Sequence, residues 1–441
     1  MENKYQYRLI ARVVLEATTP LALHSGQKEI NTDATVAKDV NGMPYIPGTS
    51  IAGVIRHALQ NQDEKTFFGY QDKDGGQGSE IMFSEARMIG KDGKVLDGLQ
   101  TIDFKDEFYT HYKSLPVRQH VKINHKGSAE QQGKFDEEVV FKGTRFCFEI
   151  EVLSKTDNNK KFNEVLKTLY CSEFRLGSGS RKGFGKMKVV SCKSKSLNLE
   201  QTEDLHWYLN HTTNLAEHFD GDDVSNKEFS NATTYKLTLQ PDDFFLFGAG
   251  FGDDDVDLVP VKENQVIWEN DGGVEKPQMS KNMVLIPASS IKGALAHRVA
   301  FHYNKKCERW AEDNNKDALI KNNEAVVGLF GSADKHRGIV LFEDIIEDIG
   351  VDKIFNHVKI DRFTGGAIDG ALFNEKAAFG KGKSFSTTIT LLDDTDFVDV
   401  FEEALKDICK GMLQLGGGTT KGYGFFKGKL EKNNEEIINE L

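Results

Sequence analysis

The feature that most constrains this 441-residue chain is that it repeats itself. LGSGSRKGFG at 176–185 returns as LGGGTTKGYG at 415–424, and YIPGTSIAGVIRHAL at 45–59 as LIPASSIKGALAHRV at 285–299. HVKI occurs at 120–123 and again at 357–360. FFG (67–69) matches LFG (329–331), and IMFSEARMI (81–89) matches IVLFEDIIE (339–347). Chance explains one such pair, but hardly five. The chain therefore reads as two copies of one domain, since self-similarity at this length marks a duplicated structural unit and one core rarely organises so many residues. The expected boundaries are 1–197 and 232–432, with an acidic linker at 198–231 and a solvated tail at 433–441.

Each copy reads in the same order. A strand (5–17; 233–240) leads into a long polar loop, and a helix follows the Pro-x-x-Ser punctuation, with Ser50 and Ser290 as expected N-caps. Later come a strand (145–153; 384–392), a helix (159–171; 396–412), the Gly-rich loop and a last strand. Strands and helices intersperse without long apolar parallel-type runs, so an α+β fold with antiparallel sheet is expected.

Composition narrows the class. With 39% hydrophobic and 10% aromatic residues the chain is globular. It contains no apolar run of about 18 residues, so no membrane partner is expected. The N-terminus alternates like a strand and not like a signal peptide. The cysteines, at 147, 171, 192, 307 and 409, stand singly, which argues against a zinc site and for reduced, cytoplasmic thiols. Net charge is −12, but unevenly spread: 30 basic against 26 acidic side chains in the first 200 residues, and 26 against 42 in the remainder. Arg175, Arg181, Lys182, Lys186, Lys188, Lys193 and Lys195 cluster at the first Gly loop. Such a cluster is either a solvated strand face or an anion site.

That loop fails two nucleotide tests. Lys182 occupies the third glycine of a dinucleotide fingerprint, and the loop follows a helix and precedes a strand. Gly185-Lys186 is followed by Met187, and Ser180 replaces the first glycine of a phosphate-binding P-loop. Tight turns explain the glycines, but not the Arg181-Lys182 and Lys421 between them; backbone amides with cations point to an anion.

The set P-x-[ST]-S-[IL]-x-G at a helix start, the later G-x-G-x-x-x-G-[FY]-G, and IDRFTGG…LF…E…G…F at 360–385 resembles the RAMP superfamily of CRISPR-associated proteins, and more closely the backbone subunits of type III effector complexes. The resemblance covers nearly the whole chain, twice. It implies two tandem modified ferredoxin-like (RRM-like) domains, each with a thumb hairpin, within about 108–144 and 357–384. The first copy departs from the signature, with Asn124-His125 where the second has Asp361-Arg362.

The resemblance also implies partners and chemistry: CRISPR guide RNA, target RNA, other type III subunits, and cleavage of target RNA that depends on a divalent cation, Mg²⁺ or Mn²⁺. The implied catalytic and metal-binding acid is Asp33, in the loop after the first strand. Asp253, Asp254, Asp255 and Asp257 crowd the corresponding loop of the second copy, and Asp257 is the expected counterpart. For both, a solvated loop acid is the alternative. A carboxylate there would hold the cation or orient an attacking 2′-hydroxyl. Implied RNA contacts are His24, Thr49, Ser50, Arg56, His120, Lys122, Arg181 and Lys182 in the first copy. In the second they are Ser289, Ser290, Lys292, Arg298, Arg362 and Lys421. Helix starts offer amides to phosphate, while Arg56 and Arg298 could equally be surface ion pairs. Two other functions stand beside this one: a structural backbone subunit that does not cut, and a guide-processing endonuclease of the same superfamily.

Overall fold

The structure is a computed structural model that describes residues 5–26, 32–59, 67–73, 75–124, 127–309, 322–332 and 336–441. The principal elements of the first half are β1 (Tyr7–Ala17), α1 (Gly48–Leu59), β2 (Val117–Ile123), β3 (Ala129–Glu138), β4 (Arg145–Ser154), α2 (Asn159–Thr168) and β5 (Met187–Asn198). The second half repeats the order: β6 (Thr233–Pro241), α3 (Ala288–Lys306), β7 (Asp352–Ile360), β8 (Ala367–Phe379), β9 (Phe385–Leu391), α4 (Val398–Cys409) and β10 (Phe426–Lys432).

The chain is thus α+β, twice over. β1 lies between β5 and β4, and β6 lies between β10 and β9, all antiparallel. Strand alternation decides which face is wet. In β1, Leu9, Ala11, Val13, Leu15 and Ala17 point into a core shared with Ile51 and Ile55 of α1 and Phe162, Val165 and Leu166 of α2. Tyr235, Leu237 and Leu239 of β6 do the same with α3 and α4. The hairpins β2–β3 and β7–β8 leave the sheets and expose apolar residues such as Val121, Ile123, Val358 and Ile360.

Segment 198–231 is not an open tether. It carries a helix (Thr202–Asn210), and Asp222–Asp223 pairs with Lys193 and Ser194 on the edge of β5. Phe219, Trp207 and Tyr208 cover Ile10 and Leu197 on the back of the first sheet. The guanidinium of Arg12 donates to Glu149 (2.9 Å) and to the Glu217 carbonyl (2.6 Å). The acidic average of the segment conceals these aromatics. Nor is 433–441 wholly a tail: Glu435–Asn439 pairs with β10 as an edge strand, across a turn in which Asn433 and Asn434 have φ of 49° and 69°, the left-handed geometry of a tight hairpin.

The helix starts also differ from expectation. Pro287, not Ser290, is the N-cap of α3, which begins at Ala288. Ser50 and Ser290 sit inside the first turn, and their amides donate to the carbonyls of Pro47 (2.9 Å) and Pro287 (3.0 Å). Proline fits there because its fixed φ already suits the turn.

The last glycine of each Gly loop is structural. Gly185 has φ of 82°, and a Cβ on it would lie 2.0 Å from the Leu176 carbonyl oxygen; for Gly424 the values are 76° and 2.1 Å, against Leu415. Gly185→Ala is therefore expected to destabilise the chain by more than about 2 kcal/mol, from left-handed strain plus overlap. Thermal melting of the full chain measures it, and an unchanged midpoint would refute the structural role.

Each half has its own main core, and one hairpin crosses between them. A hairpin of the second half (Val266–Asp271 with Val274–Met279) buries Val266 in the first half's core. Its Trp268 indole N–H donates to the Gly143 carbonyl (2.7 Å), and Arg145 lies over the Trp268 ring at 4.0 Å. Beside it Arg118 of β2 enters the second half, donating to Glu263 (2.6 Å) and Asp344 (3.1 Å), with all three side chains buried. Burial pushes the Glu263 carboxyl up, and Arg118 opposes that push.

Candidate nucleic-acid interface

At the base of each hairpin the fold assembles the same cluster. In the first half Glu137 of β3 is almost fully buried. Lys182 of the Gly loop donates to it at 3.3 Å, His120 Nε2 stands 2.8 Å away and His24 Nε2 3.3 Å away. His120 stacks on its cross-strand partner Phe135, and the Lys182 ammonium lies 5.0 Å over the same ring. In the second half Glu375 of β8 accepts from Lys421 (3.0 Å) and pairs with His357 (2.8 Å). His357 stacks on Phe373, and Lys421 lies 5.2 Å over that ring. Sequence reasoning misses Glu137, Glu375, Phe135, Phe373 and His357. The signal that could have found them is Phe-x-Glu on the returning strand with His on the outgoing one, as FDE at 135–137 and FNE at 373–375.

Burial alone would raise the Glu137 carboxyl, but contacts with His120 and Lys182 outweigh it and leave it lowered. Glu375 is lowered likewise, by Lys421 and His357 against burial. A lowered folded-state pKa gives stability that is present above the ordinary value of 4.5 and is lost as pH falls through the folded value. Acidification below pH 4.5 should therefore destabilise the wild type more steeply than a Glu137→Gln, Glu375→Gln variant. Urea unfolding across that range reads the two slopes, and equal slopes would contradict the assignment.

Asp33 and Asp257 occupy equivalent places. The Asp136 N–H donates to Asp33 Oδ2 (3.2 Å), and the Asn374 N–H donates to Asp257 Oδ2 (2.8 Å). Each donor immediately precedes the buried glutamate. The next residues, Ala34 and Leu258, bridge in parallel to Glu137 and Glu375. Of the other acids in the second loop, Asp253 and Asp255 bind Lys376 (2.5 and 3.2 Å). Among the described residues no three metal-ligating side chains converge. Asp33 or Asp257 alone cannot cage a cation, but either fits Mg²⁺ held by one or two carboxylates and substrate phosphates.

Apart from Lys421, the expected lysines and arginines fall into three groups. Arg181, Lys182 and Lys292 converge at the joint, where the first Gly loop meets the start of α3. A Cβ on Gly183 would touch the Ala288 Cβ, at 2.5 Å. Burial, then the charges of Arg181 and Lys182, push the Lys292 ammonium down to about 8. Burial with Arg337 and Arg175 lowers Arg181 to about 10. Arg181 also donates to the Gly338 carbonyl of the second half. The amide of Ala288 is taken by Asp344 (2.7 Å), and Ser289 follows it in the first turn of α3.

A second group is engaged elsewhere. Arg298 pairs with Asp407 of α4 (2.5 Å), which also holds His302, and Lys122 pairs with Glu130 across the hairpin (2.6 Å). The third group is exposed or half-buried. Arg362 lies at the β7–β8 tip, where Asp361 accepts from the amides of Phe363 (2.9 Å) and Thr364 (2.8 Å); Phe363 is 98% exposed. Thr49 is exposed at the start of α1, with Ser50 and Arg56 half-buried. His125 lies outside the described residues.

Duplicated α+β halves with paired Gly loops and hairpin-base clusters define a recognisable class. The model of the RAMP superfamily matches residues 14–188 and 272–427, so the chain belongs to that superfamily and carries two such regions in tandem. Among individual proteins it is similar to the "CRISPR system Cms endoribonuclease Csm3" of Methanocaldococcus jannaschii. The two are 29% identical over 223 residues, covering 44% of this chain and 86% of the relative. Among the described residues no helix is long and apolar enough to cross a membrane.

Proposed function

We propose that this chain is a backbone subunit of a type III CRISPR surveillance complex in the cytoplasm, holding guide RNA across both halves and cutting the paired target RNA. In this reading both sheets are ferredoxin-like, RRM-like frames, and β2–β3 and β7–β8 are the thumbs. The superfamily match and the similarity to an archaeal protein named as an endoribonuclease support it. The observation that carries it is the equivalence of Asp33 and Asp257, each tied to a hairpin base beside a buried Glu–His–Lys cluster.

Guide phosphate would lie over the joint, against Arg181, Lys182, Lys292 and the amide end of α3 at Ser289. Lys421, with Thr49 and Ser50, would serve the outer contacts, and sequence would be read by guide–target pairing. A nucleotide splayed by a hairpin presents its 2′-hydroxyl to its own 3′-phosphate. Asp33 or Asp257 would orient that hydroxyl and accept its proton. Oxygen–phosphorus bond formation then gives a 2′,3′-cyclic phosphate, and the 5′-oxygen leaves with a proton from water. A divalent cation shared between this carboxylate and RNA phosphate would supply Lewis-acid stabilisation of the developing charge.

Binding of single-stranded RNA to the full chain tests the reading. Log affinity should fall with log salt by about 0.7 per phosphate contacted. Because charged Lys292 binds the anion, affinity should also fall as pH rises through about 8, and Lys292→Met should flatten that fall. A salt-independent affinity would sink the proposal.

A further inference from the structure

Asp33 and Asp257 sit alike, but the loops that carry them are supported differently. The Gly185 and Gly424 amides donate to the carbonyls of Pro20 (2.8 Å) and Phe244 (2.9 Å), which aligns the two halves along this stretch. Gly26 then corresponds to Gly250, each at the same distance ahead of its acid. Both glycines are left-handed, with φ of 78° and 85°.

Their surroundings differ. A Cβ on Gly250 would overlap Gln119 Oε1 and lie 3.2 Å from Gln119 Cδ. Among the described residues nothing lies within 4 Å of the same position on Gly26. Gln119 belongs to β2, in the first half, and its neighbour Arg118 anchors that strand on Glu263 and Asp344. Gly250 offers no polar side chain, so what Gln119 supplies to it is shape.

The contact bears on Asp257 because the loop is two arms pressed together. The Ala249 amide donates to the Val259 carbonyl (2.9 Å), and the Val259 amide to the Phe251 carbonyl (3.3 Å). A Cβ on Gly252 would overlap the Val256 carbonyl oxygen and lie 2.7 Å from the Asp257 carbonyl carbon. A push on Gly250 is therefore passed to the arm that bears Asp257. On one side β8 holds this loop: the Asp257 amide donates to the Asn374 carbonyl (3.0 Å), and Lys376 takes Asp253 and Asp255. On the other side lies a cavity of about 460 Å³ between the halves, lined by Gly248, Ala249 and Phe251 of the loop and by Gln119. Without the Gln119 side chain the loop has room to shift into it.

Gln119 also pairs across its hairpin with Asp136, whose N–H donates to Asp33. Its backbone thus belongs to the first acid's site and its side chain to the second's. Truncating the side chain separates the two.

We propose that Gln119 is a positioning residue for Asp257, supplied by the opposite half of the chain. It braces the 249–257 loop through Gly250 and so fixes where the Asp257 carboxylate points. The inference rests on the reading of Asp257 as the acid of a cut.

In a complex reconstituted with guide RNA, Gln119→Ala is expected to slow the Asp257 cut by about tenfold or more, since small misplacements of a reacting group are that costly. The Asp33 cut and the affinity for target should keep their wild-type values, which a general loss of folding would not allow. Gln119→Met, of similar length but without the amide, should recover most of the rate. In the full chain without RNA, Gln119→Ala should also speed hydrogen exchange at the loop amides of 249–258, with 22–26 unchanged. Equal slowing of both cuts, a Gln119→Met variant as slow as Gln119→Ala, or unchanged exchange would each overturn the proposal. A wild-type complex that never cuts would refute the proposed function instead, and the exchange measurement then decides the brace by itself.

Discussion

In a complex reconstituted with guide RNA, the Asp33→Ala, Asp257→Ala double variant is expected to retain target binding and lose cutting by about 10²–10⁴-fold, the range of a positioned general base. The two carboxylates sit on equivalent hairpin-base amides, so each single variant should remove its own cut and leave the other. The fragments left by each single variant therefore assign a cut to a half. EDTA should reproduce the double variant without releasing RNA. If the double variant cuts at the wild-type rate, the chain is a non-cutting backbone subunit and both acids are solvated loop residues.

Arg118→Ala should be the most damaging single substitution away from the RNA surface. It leaves Glu263 and Asp344 buried without their cation, and breaking a buried ion pair from one side typically destabilises by about 3–5 kcal/mol. Burial already pushes the Glu263 carboxyl up, and without Arg118 to oppose it Glu263 takes up a proton above its unfolded value, so the variant binds more protons folded than unfolded. Its deficit should shrink as pH falls toward 4.5 and widen as pH rises. Arg118→Leu with Glu263→Leu and Asp344→Asn should recover most of the loss, because apolar packing replaces such triads at little cost. Calorimetry at two pH values reads both effects. A pH-independent deficit would mean that the acids are not what Arg118 neutralises.

Much of the fold is legible in the amino-acid sequence. Alternation in YRLIARVVLEA and TTYKLTLQ marks the central strands, and the repeat sets their order in each half. Asp257 is singled out from its three neighbouring acids by the run DVDLVPV, and it lies opposite Asn374 as Asp33 lies opposite Asp136. What stays hidden depends on contacts between distant residues. Arg298 reads as a groove cation because α4, which carries Asp407, is 109 residues away. Glu137 and Glu375 pass unnoticed because burial of a charge shows only once its His and Lys partners fold against it. Asn433-Asn434 carries a readable turn signal that the acidic composition around it obscures.

The hairpin at 266–279 has a consequence for how the chain is held together. Val266 and Trp268 belong to the second half by sequence and to the first half by burial. Protease nicking between 224 and 232 would therefore cut the covalent link without separating the halves, and two independently expressed fragments should find one another. The covalent link between the halves would then act mainly on stoichiometry, guaranteeing one of each half, while recognition between them is already written in their surfaces.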